Sequence, residues 1–237
     1  MPADEDRRLV LVSMNPEARR TAAIETVRRT VAGPVGDIEL LVDSPTGPPR
    51  GLAVIAHPQP LLGGSALHKI PQVLARGVRD LGWLAVRPNF RGVGGTAGNH
   101  DHGVGEADDI LAVIHAMEWS APLALIGFSF GAFVQSRVAS RLAGAGKAAQ
   151  HVVLAGLPVG SVEGGRVYDT ASVPNGSVVI HGQLDERVAL SALLQWAEVH
   201  SLPVVVVPGA DHFFKGRLPM LRSIVQAELQ RLPTSPP

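Results

Sequence analysis

The chain contains no cysteine among its 237 residues. This absence excludes disulfide bonds, thiolate metal sites and a cysteine nucleophile, and it fits a reducing compartment such as the cytosol. An excess of charge of either sign is also missing, because 21 basic residues balance 21 acidic ones. No net field therefore attracts a phosphate backbone or an anionic membrane surface.

Long apolar runs are missing as well. No segment approaches the roughly 20 apolar residues that a membrane span requires. The opening residues are rich in aspartate, glutamate and arginine, and the apolar patch at 9–12 is too short for the core of a secretory signal. The sequence thus predicts a soluble, cytoplasmic protein that binds neither nucleic acid nor membrane.

The length fits one large domain with a substantial core. We predict an N-terminal extension at 1–20, a single domain at 21–232 and a loose tail at 233–237. No internal repeat is present. Within the domain, segments 22–30 and 37–42 surround a glycine-proline turn and predict an antiparallel pair at one edge of a sheet.

Beyond residue 50, short apolar segments alternate with longer helical ones, which is typical of a parallel sheet covered by helices on both faces. Most predicted strands are continuously apolar, as expected for strands buried on both faces. The predicted strands are 52–56, 83–87, 123–126, 151–155, 177–181 and 204–207. The predicted helices are 71–81, 106–119, 132–142, 189–199 and 217–232.

A G-x-S-x-G pentapeptide is centred on Ser129. It lies between the apolar run 123–126 and the helical segment 132–142, so the order is strand, sharp turn, helix. Such a turn lifts a serine hydroxyl clear of the backbone, and the flanking glycines remove Cβ atoms that would collide there. The pattern predicts that Ser129 is a nucleophile for a carbonyl group.

A serine nucleophile needs a base to accept its proton and an acid to orient that base. His212 follows the predicted strand 204–207 and is our candidate base, ahead of the remaining histidines. Asp185 follows the strand 177–181 and is our candidate acid. Glu186 is the chemical alternative, whereas Asp211 is too close to His212 in sequence to reach its ring easily.

The oxygen of a tetrahedral intermediate needs two hydrogen-bond donors. The backbone N–H of Phe130, directly after the candidate nucleophile, is the first candidate. The second is expected in the loop after the strand 52–56. In that loop Pro58 and Pro60 lack an N–H, which leaves Gln59 as the candidate donor. A plain proline turn is the alternative for this loop.

Two other motifs suggest different chemistry. Residues 92–97 match G-x-G-x-x-A after a strand, as in a dinucleotide site, but no helical segment follows directly and no P-loop lysine motif is present. His100 and His102 flank Asp101 in a possible metal motif, yet no third ligand can be assigned. We therefore predict no metal and no cofactor.

Taken together, five segments resemble a family of small bacterial α/β-hydrolases, the dienelactone-hydrolase-like group of predicted serine carboxylesterases. They are 57–65, 89–94, 101–109, 127–131 and 209–214. The resemblance covers about residues 22–232 and implies an α/β-hydrolase fold, with a triad of Ser129, Asp185 and His212 and oxyanion donors at Gln59 and Phe130. The family commonly has a second histidine in place of Gln59, and dienelactone hydrolase itself has a cysteine nucleophile.

About twenty residues separate the strands 151–155 and 177–181, so we predict a minimal cap or none. An open pocket suits small esters, and Leu61, Leu62, Phe128, Phe130 and Tyr168 are candidate lining residues. We predict hydrolysis of a small carboxylic ester or thioester through an acyl-enzyme. Amide hydrolysis, cofactor-free perhydrolysis and a noncatalytic binding scaffold remain alternatives, as do a monomer and a homodimer.

Overall fold

The protein is described by a computed structural model, which covers residues 26–119 and 122–231. The predicted N-terminal extension at 1–20 and the tail at 233–237 lie outside the described residues. The predicted first strand, 22–30, lies partly outside them. The structure begins with that strand, which starts at Thr26.

Of the ten strands in the described residues, eight form one sheet, and β7 (Gly160–Ser161) and β8 (Val167–Tyr168) form a separate pair. The eight strands of the sheet are β1 (Thr26–Gly33), β2 (Gly36–Asp43), β3 (Leu52–Ala56), β4 (Leu84–Pro88), β5 (Leu123–Phe128), β6 (His151–Ala155), β9 (Val178–Gly182) and β10 (Val204–Val207). Their order in the sheet is β1-β2-β4-β3-β5-β6-β9-β10. Strand β2 runs antiparallel to both of its neighbours, and the other pairs are parallel. The predicted antiparallel pair at the sheet edge is therefore present.

In the described part of the chain, five α-helices cover the two faces of this sheet. They are α1 (Lys69–Arg79), α2 (Val104–Ala116), α3 (Phe130–Gly144), α4 (Leu190–Val199) and α5 (Leu218–Gln230). Buried residues of α1 and α5 belong to one hydrophobic cluster, and those of α2, α3 and α4 belong to the other. This arrangement confirms a mostly parallel sheet with helices on both faces, the architecture of the α/β-hydrolase fold.

Successive side chains of a strand point to opposite faces of the sheet, so alternate residues belong to the two hydrophobic clusters. In β5, Leu125 packs with α2 and α3, whereas Ala124, Ile126 and Phe128 pack with α1 and α5. Strands β3, β4, β6 and β9 are buried along their whole length. Strand β10 differs because it is an edge strand, and its Val205 and Val206 side chains are exposed.

Helices α1, α2 and α3 begin earlier than the sequence predicts, for local reasons. Helix α1 begins at Lys69 because the Nδ1 atom of His68 caps it, accepting a hydrogen bond from the Ile70 N–H at 3.3 Å. Helix α2 begins before Glu106, whose carboxylate accepts from the Gly103 N–H at 2.8 Å. Helix α3 begins at Phe130, so the sharp turn leads into it without an intervening loop.

A two-stranded hairpin lies between β6 and β9, where many related folds insert a cap. Its strands, β7 (Gly160–Ser161) and β8 (Val167–Tyr168), pair antiparallel. No cap domain is present in this described segment, as predicted, although the sequence pattern did not predict the hairpin. In the ranges that the structure covers, none of the helices combines the length and apolarity needed to cross a bilayer.

The glycines on either side of Ser129 are required by close backbone contacts. A Cβ atom on Gly127 would overlap the carbonyl oxygen of Gly131, and one on Gly131 would overlap the carbonyl oxygen of Ala56. The turn is therefore packed against the end of β3. Neither backbone group is able to rotate away as a side chain would.

We predict that Gly131→Ala destabilises the protein by at least about 2 kcal/mol, because the added methyl group displaces backbone atoms of β3. Urea denaturation followed by circular dichroism measures this change. Gly144→Ala is the matched control in the same helix, since a Cβ there meets no atom within 4 Å. It should leave stability unchanged or raise it by up to about 1 kcal/mol. Equal effects of the two substitutions would contradict the predicted backbone contact.

Candidate active site

Ser129 lies at the carboxyl end of β5, in the middle of the sheet. Its backbone has φ 54° and ψ −123°, a conformation that residues other than glycine rarely adopt. The Ser129 N–H donates to the Ala155 carbonyl oxygen at 2.9 Å, and the Ser129 carbonyl accepts from Ala132 and Phe133 in the first turn of α3. These bonds hold the strained turn and present the hydroxyl at the sheet edge.

A continuous chain of hydrogen bonds joins the three residues that the sequence singled out. The His212 Nε2 atom lies 3.0 Å from the Ser129 Oγ atom, and the His212 Nδ1 atom lies 2.7 Å from the Asp185 Oδ2 atom. They come from loops after β5, β9 and β10, whose carboxyl ends meet at one edge of the sheet. The structure thus brings Ser129, His212 and Asp185 together.

The Asp185 carboxylate is fixed by more than His212. Its Oδ1 atom accepts hydrogen bonds from the backbone N–H groups of Arg187 and Val188, both at 2.9 Å. Burial alone would raise the pKa of Asp185, but the hydrogen bond and charge of His212, with the Val188 N–H, outweigh burial and lower the pKa. The group is therefore an anion at neutral pH.

The two other carboxylates considered for this role lie elsewhere. Glu186 is exposed to solvent. The Asp211 Oδ1 atom accepts a hydrogen bond from the Lys215 N–H at 2.8 Å and so closes a local turn. Of the three acids, Asp185 is therefore the one in contact with the His212 ring.

The candidate oxyanion donors both have available N–H groups. Phe130 is the first residue of α3, where a backbone N–H has no partner within the helix. Gln59 precedes a short 3₁₀ helix at Pro60–Leu62. Within residues 26–119 and 122–231, neither N–H donates a hydrogen bond to another protein group. Gln59 lines the same cavity as Ser129.

His57 holds the Gln59 loop in place. Its Nδ1 atom donates to the Pro58 carbonyl at 2.7 Å, and its Nε2 atom accepts from the Phe90 N–H at 3.0 Å. Burial lowers the pKa of His57 to about 3, so the ring is neutral and this pair of bonds is fixed. The sequence pattern indicated that His57 lies in this loop but indicated no function for it.

Ser129 and His212 line a cavity of about 330 Å³. Of the side chains predicted to line a pocket, Leu62 and Tyr168 line this cavity. Phe128 does not, because it faces the cluster of α1 and α5 and is fully buried, with its ring centroid 5.2 Å from that of His212. Its position corrects the predicted lining: Phe128 supports the back of the histidine ring.

A second cavity of about 320 Å³ adjoins the first. Leu61 and Phe130 line this second cavity, so the predicted lining residues are divided between the two. Gln59 and Tyr168 line both, and the Gln59 Nε2 atom donates to the Tyr168 hydroxyl at 3.4 Å. The contact between Gln59 and Tyr168 therefore lies where the two cavities meet.

Three basic residues that line the Ser129 cavity were not predicted from the sequence, namely His68, Arg166 and Arg187. Burial lowers the pKa of His68, and the nearby charge of His212 lowers it further. Arg187 lies two positions after Asp185, and this proximity to a candidate triad residue could have indicated that it lies near the site. Arg166 belongs to the unpredicted hairpin segment, so nothing in the pattern indicated its position.

The surroundings of the two rival motifs differ from those that the corresponding binding sites require. Helix α2 begins at Val104, so no helix opens from the segment 92–97 as a dinucleotide fingerprint requires. Asp101 accepts a hydrogen bond from the Gly105 N–H at 2.9 Å and stabilises the start of α2. Over the ranges described, no group of three or more histidine, aspartate or glutamate side chains is arranged to hold a metal ion.

Comparisons with known proteins agree with this geometry. No protein-family model matches the sequence. The chain is 35% identical to XC6422 from Xanthomonas campestris, an α/β serine hydrolase without a lid, with a TM-score of 0.77; the match covers 91% of this chain and 99% of that one. It is 32% identical to an α/β serine hydrolase homologue from Coxiella burnetii, with a TM-score of 0.76, covering 88% of this chain and 100% of the other.

A further relative is an uncharacterized protein of Rickettsia prowazekii, which is 29% identical over 194 residues. That match covers 77% of this chain and 80% of the relative. The fold, together with the two matches above 30% identity, shows that this protein is of the α/β-hydrolase class. The chain belongs to the α/β-hydrolase superfamily, among its serine-hydrolase-like members.

Proposed function

We propose that the protein is a serine hydrolase that cleaves a small carboxylic ester or thioester through an acyl-enzyme intermediate. The observation that carries this proposal is the hydrogen-bonded chain from Asp185 through His212 to Ser129, next to a cavity. A noncatalytic scaffold has no need for all three groups in this order. In the proposal Ser129 is the nucleophile, His212 the general base and Asp185 the orienting acid.

In the first step the Ser129 Oγ atom attacks the substrate carbonyl carbon while His212 Nε2 takes the hydroxyl proton. Asp185 holds the proton of the ring on Nδ1, so that Nε2 is free to accept. The resulting imidazolium is stabilised by the buried carboxylate. His212 then returns its proton to the departing alcohol or thiol, and the same base activates water to hydrolyse the acyl-enzyme.

The negative oxygen of each tetrahedral intermediate would be bound by the backbone N–H groups of Gln59 and Phe130. Rigidity favours this function, because donors that are already oriented need no rearrangement as charge develops. His57 fixes the Gln59 loop from behind, and α3 fixes Phe130. The arrangement suits esters, thioesters and amides alike, and the small, uncapped cavity favours a small substrate rather than one kind of bond.

Labelling with a fluorophosphonate probe tests the proposed nucleophile. The reagent phosphonylates an activated serine, and peptide mass mapping then locates the adduct. We expect one adduct per folded chain, on the peptide that contains Ser129, and none on protein denatured before labelling. Buried Ser136 and half-buried Ser140 in helix α3 provide internal controls, since the serine hydroxyl that contacts His212 Nε2 is that of Ser129.

An adduct on a different serine would reject Ser129 as the nucleophile. If the folded protein takes up no label, the proposed hydrolase function is rejected in favour of a binding scaffold. A panel of p-nitrophenyl esters with acyl chains of increasing length then follows for a labelled protein. We expect short chains to be preferred, because the cavity beside Ser129 holds only about 330 Å³.

A further inference from the structure

The cavity beside Ser129 has an unbalanced charge. Two arginines, Arg166 and Arg187, line it, and no aspartate or glutamate does so among the described residues. Arg166 precedes β8 in the hairpin, and Arg187 lies in the loop after β9. The two guanidinium groups therefore reach the same cavity from separate loops. This excess of positive charge is local, because the whole chain has no net charge.

Arg187 is held at the cavity by an aromatic ring. Its guanidinium carbon lies 5.0 Å from the centroid of the Phe213 ring, in a cation–π contact. Over the part of the chain that is described, the only carboxylate within ion-pair distance is Glu163, at 3.7 Å. The Arg187 and Glu163 side chains are 39% and 59% exposed, so this pair is screened by water and is easily exchanged for another anion.

Arg166 has no carboxylate partner within ion-pair distance in the described ranges. Its Nη2 atom donates to the Glu163 carbonyl at 3.3 Å, and its Nε atom is buried without a hydrogen-bond acceptor. A buried N–H without an acceptor is unfavourable. An oxygen atom of a bound molecule would satisfy this donor.

The two arginines that are buried in the described part of the chain have acidic partners. Arg87 contacts Asp43 at 2.8 Å, and Arg91 binds Asp109 through two hydrogen bonds. The fold thus neutralises the guanidinium groups that it buries, whereas the half-buried Arg137, which does not line the cavity, contacts the Phe133 ring. At the cavity, Arg166 has no carboxylate partner among the described residues and Arg187 has only the exposed Glu163, so both guanidinium groups are open to an anionic group of the substrate.

We propose that Arg166 and Arg187 bind a negatively charged group of the substrate, so that the enzyme prefers esters or thioesters that carry a carboxylate or phosphate. This inference rests on the proposed hydrolase function. The planar guanidinium fork suits both anions, because each offers two oxygens for parallel hydrogen bonds. The anion belongs either to the acyl group or to the leaving group, and the test separates these sources.

Two matched pairs of esters provide the test. Mono-p-nitrophenyl adipate and its methyl ester differ by one charge in the acyl group, whereas 4-acetoxybenzoate and its methyl ester differ by one charge in the leaving group. For at least one pair, kcat/KM should be about tenfold or more higher for the anionic member, as expected for hydrogen bonds to a charged group. The pair that shows the preference identifies the source of the anion.

Arg166→Met and Arg187→Met should each lower the ratio of anionic to neutral kcat/KM about tenfold. The double variant should bring the ratio close to one, and Arg187→Lys should recover part of it. Arg29→Met is the matched control, because Arg29 is exposed on β1 at the opposite edge of the sheet. It should leave both members of each pair unchanged. Thermal melting verifies that every variant is folded.

Equal or faster hydrolysis of the neutral members in both pairs would overturn the inference and leave the hydrolase proposal standing. An unchanged ratio in both methionine variants would overturn it as well. If no ester is turned over above the Ser129→Ala background, the hydrolase proposal fails. Calorimetric titration of adipate into folded protein then decides on the anion site: binding that the double methionine variant abolishes supports the site, and absence of binding rejects it.

Discussion

Replacing Ser129 by alanine is expected to lower kcat for a p-nitrophenyl ester by about 10⁴-fold or more. The substitution removes the oxygen that the His212 Nε2 atom contacts across the triad. Alanine keeps the Cβ atom and has the same backbone restrictions as serine, so the turn and the fold should be unchanged. Initial rates of p-nitrophenol release, together with circular dichroism melting, measure both expectations.

Ser140→Ala is the control for this substitution, because Ser140 is a half-buried serine of the same helix. We expect it to retain wild-type activity. If Ser129→Ala keeps more than about a hundredth of wild-type kcat, direct nucleophilic attack by this serine is excluded. Loss of activity together with loss of the folded signal would not count for the proposal, and fluorophosphonate mapping on the wild type then decides.

Asp185→Asn is expected to lower kcat by about 10³- to 10⁴-fold, because it forces the wrong tautomer on His212. The carbonyl oxygen of the new amide would keep the hydrogen bonds from the Arg187 and Val188 N–H groups, which already hold the aspartate Oδ1 atom. The amide NH₂ group would then face His212 Nδ1. Two donors cannot share a hydrogen bond, so the ring proton moves to Nε2, which then no longer accepts the serine proton.

Glu186→Gln makes the same chemical change at the neighbouring position. Because Glu186 is exposed, we expect the kcat of this variant to stay within about twofold of the wild type. Measuring both variants with one p-nitrophenyl ester compares the two acids directly. A large loss in Glu186→Gln with little loss in Asp185→Asn would assign the orienting acid to Glu186 and contradict the hydrogen bonds described above.

The positions of the main strands were predictable because a strand that is buried on both faces of the sheet has a nearly continuous run of apolar residues. The predicted bounds of β3, β6 and β10 agree with the structure, since each is an apolar run apart from His151 at the start of β6. The meeting of Ser129, Asp185 and His212 also follows from sequence, because each lies just after a parallel strand and the carboxyl ends of such strands share one edge.

Side-chain direction was harder to predict than the strands. Phe128 follows Ile126 by two positions, so the alternation along β5 turns both toward α1 and α5. Because Phe128 is next to Ser129 in sequence, we predicted that its side chain lines the pocket. The alternation of side chains along the strand instead directs the ring to the face of the sheet covered by α1 and α5. The hairpin β7–β8 was missed because strands of two residues are too short to produce a pattern, and with it the position of Arg166 was missed.

The sheet supports the members of the proposed triad unequally. Ser129 follows a strand that is paired on both sides, by β3 and β6. His212 follows β10, which pairs only with β9 among the described strands and exposes Val205 and Val206. Edge strands open more readily than central ones. Partial opening at that edge would withdraw the histidine while the serine turn stayed folded, so inactivation by heat or denaturant would precede the loss of global structure.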